Sequence, residues 1–297
     1  MKKTISILLT GITILSLIFC GCSKKEPDTI KIASKPFTEQ YILTEMLAIL
    51  IEENTDLNTE ITKGVGGGTT NIHPAMLTGD FDLYPEYTGT AWVTVLKHEE
   101  IPDDETLYEN LKTEYENLGL YWSGLYGFSN SYALAVRTEM AEEYNLHTFS
   151  DVAAISSDLI FGGNYDYIER ADGYPLLCST YNMSFKDTVD MDIALKYQAM
   201  EEKQIDVTNA FTTDAALAVD NVTALEDDLH FFTTYYGGTV VRKEVIDAHP
   251  ELIEVLELLT GNISVEEMQQ MNYEVEINGK DEAVIAREFL QNKGLIQ

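Results

Sequence analysis

Aromatic residues set beside turn residues are the feature of this sequence that could do chemistry. Tyr84-Pro85-Glu86-Tyr87-Thr88-Gly89-Thr90 follows a predicted strand directly. Tyr132 opens another strand after Phe128-Ser129-Asn130-Ser131, Phe211-Thr212-Thr213-Asp214 ends a third, and Tyr235-Tyr236-Gly237-Gly238 precedes a fourth. Strand ends are where an open α/β sheet presents a ligand. Ring faces there suit a cation with no N–H to donate, such as a trimethylammonium group, which only π faces and weak C–H contacts can hold. Each ring taken singly reads first as core or lobe-edge packing, and composition alone does not turn the four into a site.

Other chemistries find little support. His73, His98, His147, His230 and His249 are scattered, with no HExxH spacing and no cluster with Cys178, so no metal centre is expected. There is no GxSxG elbow. The glycine run Gly64-Val65-Gly66-Gly67-Gly68 lacks the order of a phosphate-binding loop and reads as a tight turn into a helix, whose backbone N–H groups could still meet an anionic group. No nucleophile–base pair is visible, and neither catalysis nor a cofactor is expected. A net charge of −31, from 50 acidic and 19 basic residues, argues against nucleic acid and against broad docking on anionic lipid.

The elements that must position the rings follow from periodicity. Thr29 to Ala33 alternates as a strand. Glu39 to Glu53 carries Ile42, Leu43, Met46, Leu47, Leu50 and Ile51 at helical spacing. Thr59 to Lys63 is a second strand, a helix runs through Met76 and Leu77, and Phe81 to Leu83 is a third strand. That order implies a parallel α/β sheet. Asp104 to Leu118 is a further helix, and strands are expected at Tyr132 to Val136, Leu159 to Phe161, Val207 to Ala210 and around Thr239-Val240-Val241. Helices fill the C-terminal part. A chain of 297 residues with this alternation and no linker suits two lobes that share crossovers and face each other across a cleft.

The N-terminus reads as an export signal. Met1-Lys2-Lys3 precedes an apolar run from Ile5 to Phe19 that is short for a membrane span. It ends in Gly21-Cys22 and a polar stretch, as in bacterial lipoproteins, which makes Cys22 the expected lipidation site. Processing there leaves Cys178 as the one thiol, so no internal disulfide is expected and the fold rests on its core.

Five motifs in order carry a resemblance. Ser34-Lys35-Pro36-Phe37-Thr38-Glu39-Gln40, Tyr84 to Thr90, Tyr132-Ala133-Leu134-Ala135-Val136-Arg137, Asp172-Gly173-Tyr174-Pro175 and Thr212-Thr213-Asp214 closely resemble the substrate-binding proteins of osmoprotectant ABC importers, the glycine betaine/carnitine/choline-binding family. The likeness runs from about Ile30 to Ile296. It implies a two-lobed α/β periplasmic-binding-protein fold of type II, with the ligand in the interlobe cleft. It implies that Tyr87, Tyr132, Phe211 and Tyr235 wall an aromatic cage, with Phe211 standing where the family usually has Tyr. It implies that Lys35, Arg170 and Thr90 serve the ligand's carboxylate, with Gln40 and Asn130 as nearby polar groups. The expected partners are a small quaternary-ammonium ligand, permease subunits with a cytoplasmic ATPase, and the membrane through a lipid anchor on the outer side of the cell membrane.

The expected divisions are a signal peptide over 1–21, a tether over 22–28, lobe I over 29–131 plus 237–297, and lobe II over 132–236. Glycine betaine, carnitine, proline betaine and choline all stay open as ligands, and Lys35 and Arg170 lean toward the zwitterions, since choline offers no anion for them. A choline-selective binder or a quaternary-amine sensor lipoprotein is the alternative.

Overall fold

A computed structural model describes residues 28–297, apart from positions 164, 170–172, 193–194 and 220. The signal segment, Cys22 and Arg170 lie outside the described residues. Among the described residues, ten strands form two mixed sheets of five. The strands are β1 (Thr29–Ala33), β2 (Asn58–Thr62), β3 (Leu83–Tyr87), β4 (Leu120–Trp122), β5 (Tyr132–Arg137), β6 (Ile160–Gly163), β7 (Asp187–Asp190), β8 (Val207–Phe211), β9 (Val222–Leu225) and β10 (Gly237–Arg242). The first sheet runs β2-β1-β3-β10-β4 and the second β7-β6-β8-β5-β9.

Both sheets follow one plan. Three strands are parallel (β2, β1, β3 in one, β7, β6, β8 in the other). The fourth strand, β10 or β5, is antiparallel to its neighbour in that set. It is also the strand that the chain enters on arriving from the other sheet. The two crossings lie side by side: Asn130 N–H donates to the Tyr235 carbonyl at 3.0 Å, and Ser129 and Tyr236 form an antiparallel bridge. Paired backbone here satisfies groups that would otherwise be orphaned between two cores.

Helices cover the sheets because their apolar faces have nowhere else to go. The longer ones are α1 (Thr38–Asn54), α2 (Thr69–Thr78), α3 (Asp104–Asn117), α4 (Val265–Glu276) and α5 (Glu282–Asn292). Ile42, Leu43, Met46, Leu47 and Leu50 of α1 are fully buried against β1, β3 and the C-terminal helices, as their spacing predicts. Asp103 caps α3 by accepting from Thr106 N–H, and Ser264 with Glu267 forms a capping box on α4. One core fills each face of the first sheet and a further two fill the second.

Two differences from the sequence reading concern the site. The third strand is Leu83–Tyr87, not Phe81 to Leu83, so the Tyr-Pro-Glu-Tyr run is itself the strand and not the turn after it. Pro85 is tolerated inside the sheet because β1 meets β3 only at Ile32 and Leu83, so Pro85 has no ladder donor to lose on that side. The short strands β4, β7 and β9 go beyond what the sequence pattern predicts, being three or four residues long with weak alternation.

Phe128 is fully buried just before the outgoing crossing and stacks on Tyr126 with centroids 6.2 Å apart. Phe128→Ala is expected to cost about 3–5 kcal/mol in a urea unfolding experiment.

Candidate functional site: a cleft between the two sheets

β3 alternates as a strand should: Leu83 and Tyr87 enter one core, while Tyr84 and Glu86 face the other. Glu86 is therefore carried into the interior, where it is 0% exposed. Four donors meet it. The Lys35 ammonium and the Tyr87 N–H (2.7 Å) reach Oε1, while the hydroxyls of Thr69 (2.7 Å) and Tyr84 (3.0 Å) reach Oε2. A buried carboxylate is tolerable only with this degree of satisfaction. The arrangement fixes Lys35 after β1, Thr69 at the start of α2, and Tyr87 at the end of β3.

Lys35 is 6% exposed and its Nζ stands 4.6 Å from the centre of the Tyr87 ring. The Tyr87 ring is also stacked on Phe37 with centroids 6.4 Å apart, and its hydroxyl donates to Glu39 Oε1 while accepting from Gln40 Nε2 at 3.1 Å. Burial and the adjacent Glu39 carboxyl push the Tyr87 phenol far above its ordinary range, so it stays protonated. Burial likewise pushes Glu39 up.

The second sheet supplies the opposite wall. Tyr132 and Phe211 are register partners on β5 and β8, with ring centroids 4.7 Å apart. Tyr132 is braced behind by Phe232 at 5.2 Å and Tyr167 at 5.7 Å. Asp214 accepts from the Phe211 N–H at 3.1 Å and from the buried Lys196 at 2.9 Å, which fixes the loop that ends β8. Tyr235, on the returning crossing, lies over Gly89: a Cβ there would stand 2.8 Å from its ring. Gly89 is small because the ring must approach the backbone.

These residues meet in one cleft of about 840 Å³. Of the nine residues singled out in the sequence, Lys35, Tyr87, Thr90, Asn130, Tyr132, Phe211 and Tyr235 line it. Gln40 does not; it is fully buried behind Tyr87 and supports the ring. Arg170 falls outside the described residues. Phe37, Glu39, Thr69, Asp214, Asn272 and Glu276 line the cleft without having been foreseen. Glu39 looked like an ordinary first-turn helix acid, and only tertiary packing buries it. The signal for Glu86 was present: an acid two residues from Tyr84 on a strand shares its face. Among the described residues no group of three or more His, Cys, Asp or Glu could hold a metal ion.

The comparisons with known proteins come down on one side. Residues 28–292 match the family model described as the substrate binding domain of ABC-type glycine betaine transport system. The chain belongs to that family. It is 35% identical to the carnitine transport binding protein OpuCC of Listeria monocytogenes serotype 1/2a, covering 100% of this chain and 98% of that protein. It is 42% identical to the ergothioneine transport permease/ergothioneine binding protein EgtU of Helicobacter pylori, over 91% of this chain but only 48% of that longer protein. A crystal structure of a glycine betaine/carnitine/choline ABC transporter superposes with a TM-score of 0.85 at 33% identity, covering 89% of this chain and 98% of that one. The two-lobed α/β architecture is that of these binding domains.

The Glu86 network predicts its own disruption. Glu86→Ala strands the Lys35 ammonium and two hydroxyls in the interior, and is expected to destabilise this binding domain by about 3–5 kcal/mol in chemical denaturation.

Proposed function

We propose that this binding domain captures a small quaternary-ammonium solute in the cleft and delivers it to an ABC permease driven by a cytoplasmic ATPase, with no catalysis of its own. The observation that carries the reading is the convergence of Tyr87, Tyr132, Phe211 and Tyr235 on one cleft from both sheets and a crossing. Such rings hold a cation that cannot donate hydrogen bonds, at about 1–2 kcal/mol per desolvated contact. Lys35, Thr90 and Asn130 on the same cleft suit the carboxylate end of a zwitterion, and Arg170 is assigned to that end by resemblance. The Lys35 ammonium is shared with Glu86, so it serves a ligand as part of an existing pair rather than as a lone charge.

The lobes are taken as residues 29–131 with 237–297, and 132–236, joined by the paired crossings as a hinge. A ligand that touches Tyr87 on one lobe and Tyr132 and Phe211 on the other favours closure. Cys22 is taken as the lipid attachment point that holds the protein at the outer face of the cell membrane. The likeness to a carnitine-binding and a glycine betaine-binding family supports the ligand class.

A second ligand deserves a place beside glycine betaine. The cleft volume lies in the range of pockets that take drug-sized molecules and exceeds what glycine betaine fills. Ergothioneine, named for the H. pylori relative, is a bulkier betaine of matching class.

The test is calorimetric titration of the mature chain with glycine betaine, carnitine, choline and ergothioneine. Dissociation constants around micromolar are expected for at least one zwitterion, with choline weaker. Tyr132→Ala is expected to weaken binding by about 5- to 30-fold, matching one lost cation–π wall, while Phe211→Tyr retains binding. No heat from any of the four with folded protein would end this reading.

A further inference from the structure

Glu39, the second residue of α1, is 2% exposed and lines the cleft. Its two oxygens are treated differently. Oε1 accepts from the Tyr87 hydroxyl and from Asn130 Nδ2 at 3.0 Å. Oε2 is buried with no hydrogen-bond partner among the described residues. Beside the carboxyl stand Thr213 and Asn272, whose side chains favour its charged form. These two are tied together: Asn272 Nδ2 donates to the Thr213 carbonyl at 2.9 Å, and Gln269 Nε2 to the Thr212 carbonyl at 2.7 Å. One carboxyl thus faces the cage ring on β3, the outgoing crossing, α4, and the loop that follows β8 of the second sheet.

We propose that Glu39 is a positioning residue that couples the aromatic cage to lobe closure, one oxygen orienting Tyr87 and the other gaining its donors from Thr213 and Asn272 as the cleft closes on a ligand. This rests on the reading of the cleft as a quaternary-ammonium site. A buried carboxylate oxygen without a donor is costly, and completing it favours the closed arrangement. A cation in the neighbouring cage adds to the same preference for the ionised form.

A pH dependence follows. In the ligand-free protein burial holds Glu39 above the usual carboxylate range. Added donors and a bound cation lower it, so binding releases a proton. Affinity therefore strengthens as pH rises through the free-protein value and weakens as pH falls below it. Other ionisable groups face the cleft. Lys35 and Glu86 are paired with each other, Asp214 is held by Lys196 and Tyr197, and Tyr87 is pushed upward out of range. Glu276 at the end of α4 is exposed and is the group to separate from Glu39.

Wild type, Glu39→Gln and Glu276→Gln, each confirmed folded by circular dichroism, would be titrated with glycine betaine and choline between about pH 5 and pH 8. Wild type and Glu276→Gln should weaken toward acid. Glu39→Gln should be about tenfold weaker at the alkaline end and flat across the range. Amide hydrogen exchange with and without saturating glycine betaine or choline gives an independent reading: ligand should protect 212–218 and 265–276 in wild type, and much less in Glu39→Gln. A Glu39→Gln protein that keeps the wild-type pH profile, or gains the wild-type ligand protection in both segments, would overturn the proposal. If wild type binds neither probe, the ligand-class reading fails and this proposal with it, whereas wild-type binding beside an unchanged Glu39→Gln variant overturns this proposal alone.

Discussion

The Glu86 carboxylate sits in the interior of the first sheet, and much of the site's geometry depends on how it is satisfied. Its four donors come from three places: Lys35 after β1, Thr69 at the start of α2, and Tyr84 and Tyr87 on β3. An unpaired charge there would cost several kcal/mol, so the fold must bring all of them together or lose stability. The same bonds fix one wall of the cleft. Tyr87 is gripped at its amide by Glu86 and at its hydroxyl by Glu39 and Gln40. A ring held at both ends is pre-organised, which removes part of the ordering cost that a binding site would otherwise meet.

The opposite wall is built by different means. Tyr132 and Phe211 are neighbours by strand register, and Phe232 and Tyr167 brace them through ring packing. The first wall is thus fixed by buried polar bonds, and the second by aromatic packing on a sheet. Between them, the paired crossings connect the lobes through few bonds. α4 adds a further bridge, since Gln269 and Asn272 hold the carbonyls of Thr212 and Thr213. The core clusters of the two sheets are separate, and these hydrogen bonds join them beside the packing of α4 on residues 215–218, a junction small enough to permit rigid-body motion.

The charge distribution completes the picture. The chain carries a net charge of −31, and among the described residues Glu39 and Glu86 are acids buried inside. Lys35 offsets Glu86. Glu39 faces only neutral donors at its bonded oxygen, Tyr87 and Asn130.

Local physics made much of this legible in the sequence. The apolar spacing of α1, the alternation of β5 and the strand–helix order determined an α/β fold, because period and burial are coupled wherever an element has one apolar face. The motifs around Tyr87, Tyr132, Phe211 and Tyr235 determined the rings, and resemblance supplied their role. Tertiary structure alone decided three further matters. It turned Tyr84 to Tyr87 into a strand, because β10 offered a partner along its whole length. It placed Gln40 behind Tyr87, donating to the ring's hydroxyl, because the first turn of α1 faces β3. It buried Glu39, which in sequence is indistinguishable from a solvated first-turn acid. Burial depends on what packs against a residue from distant parts of the chain, and no local pattern encodes that.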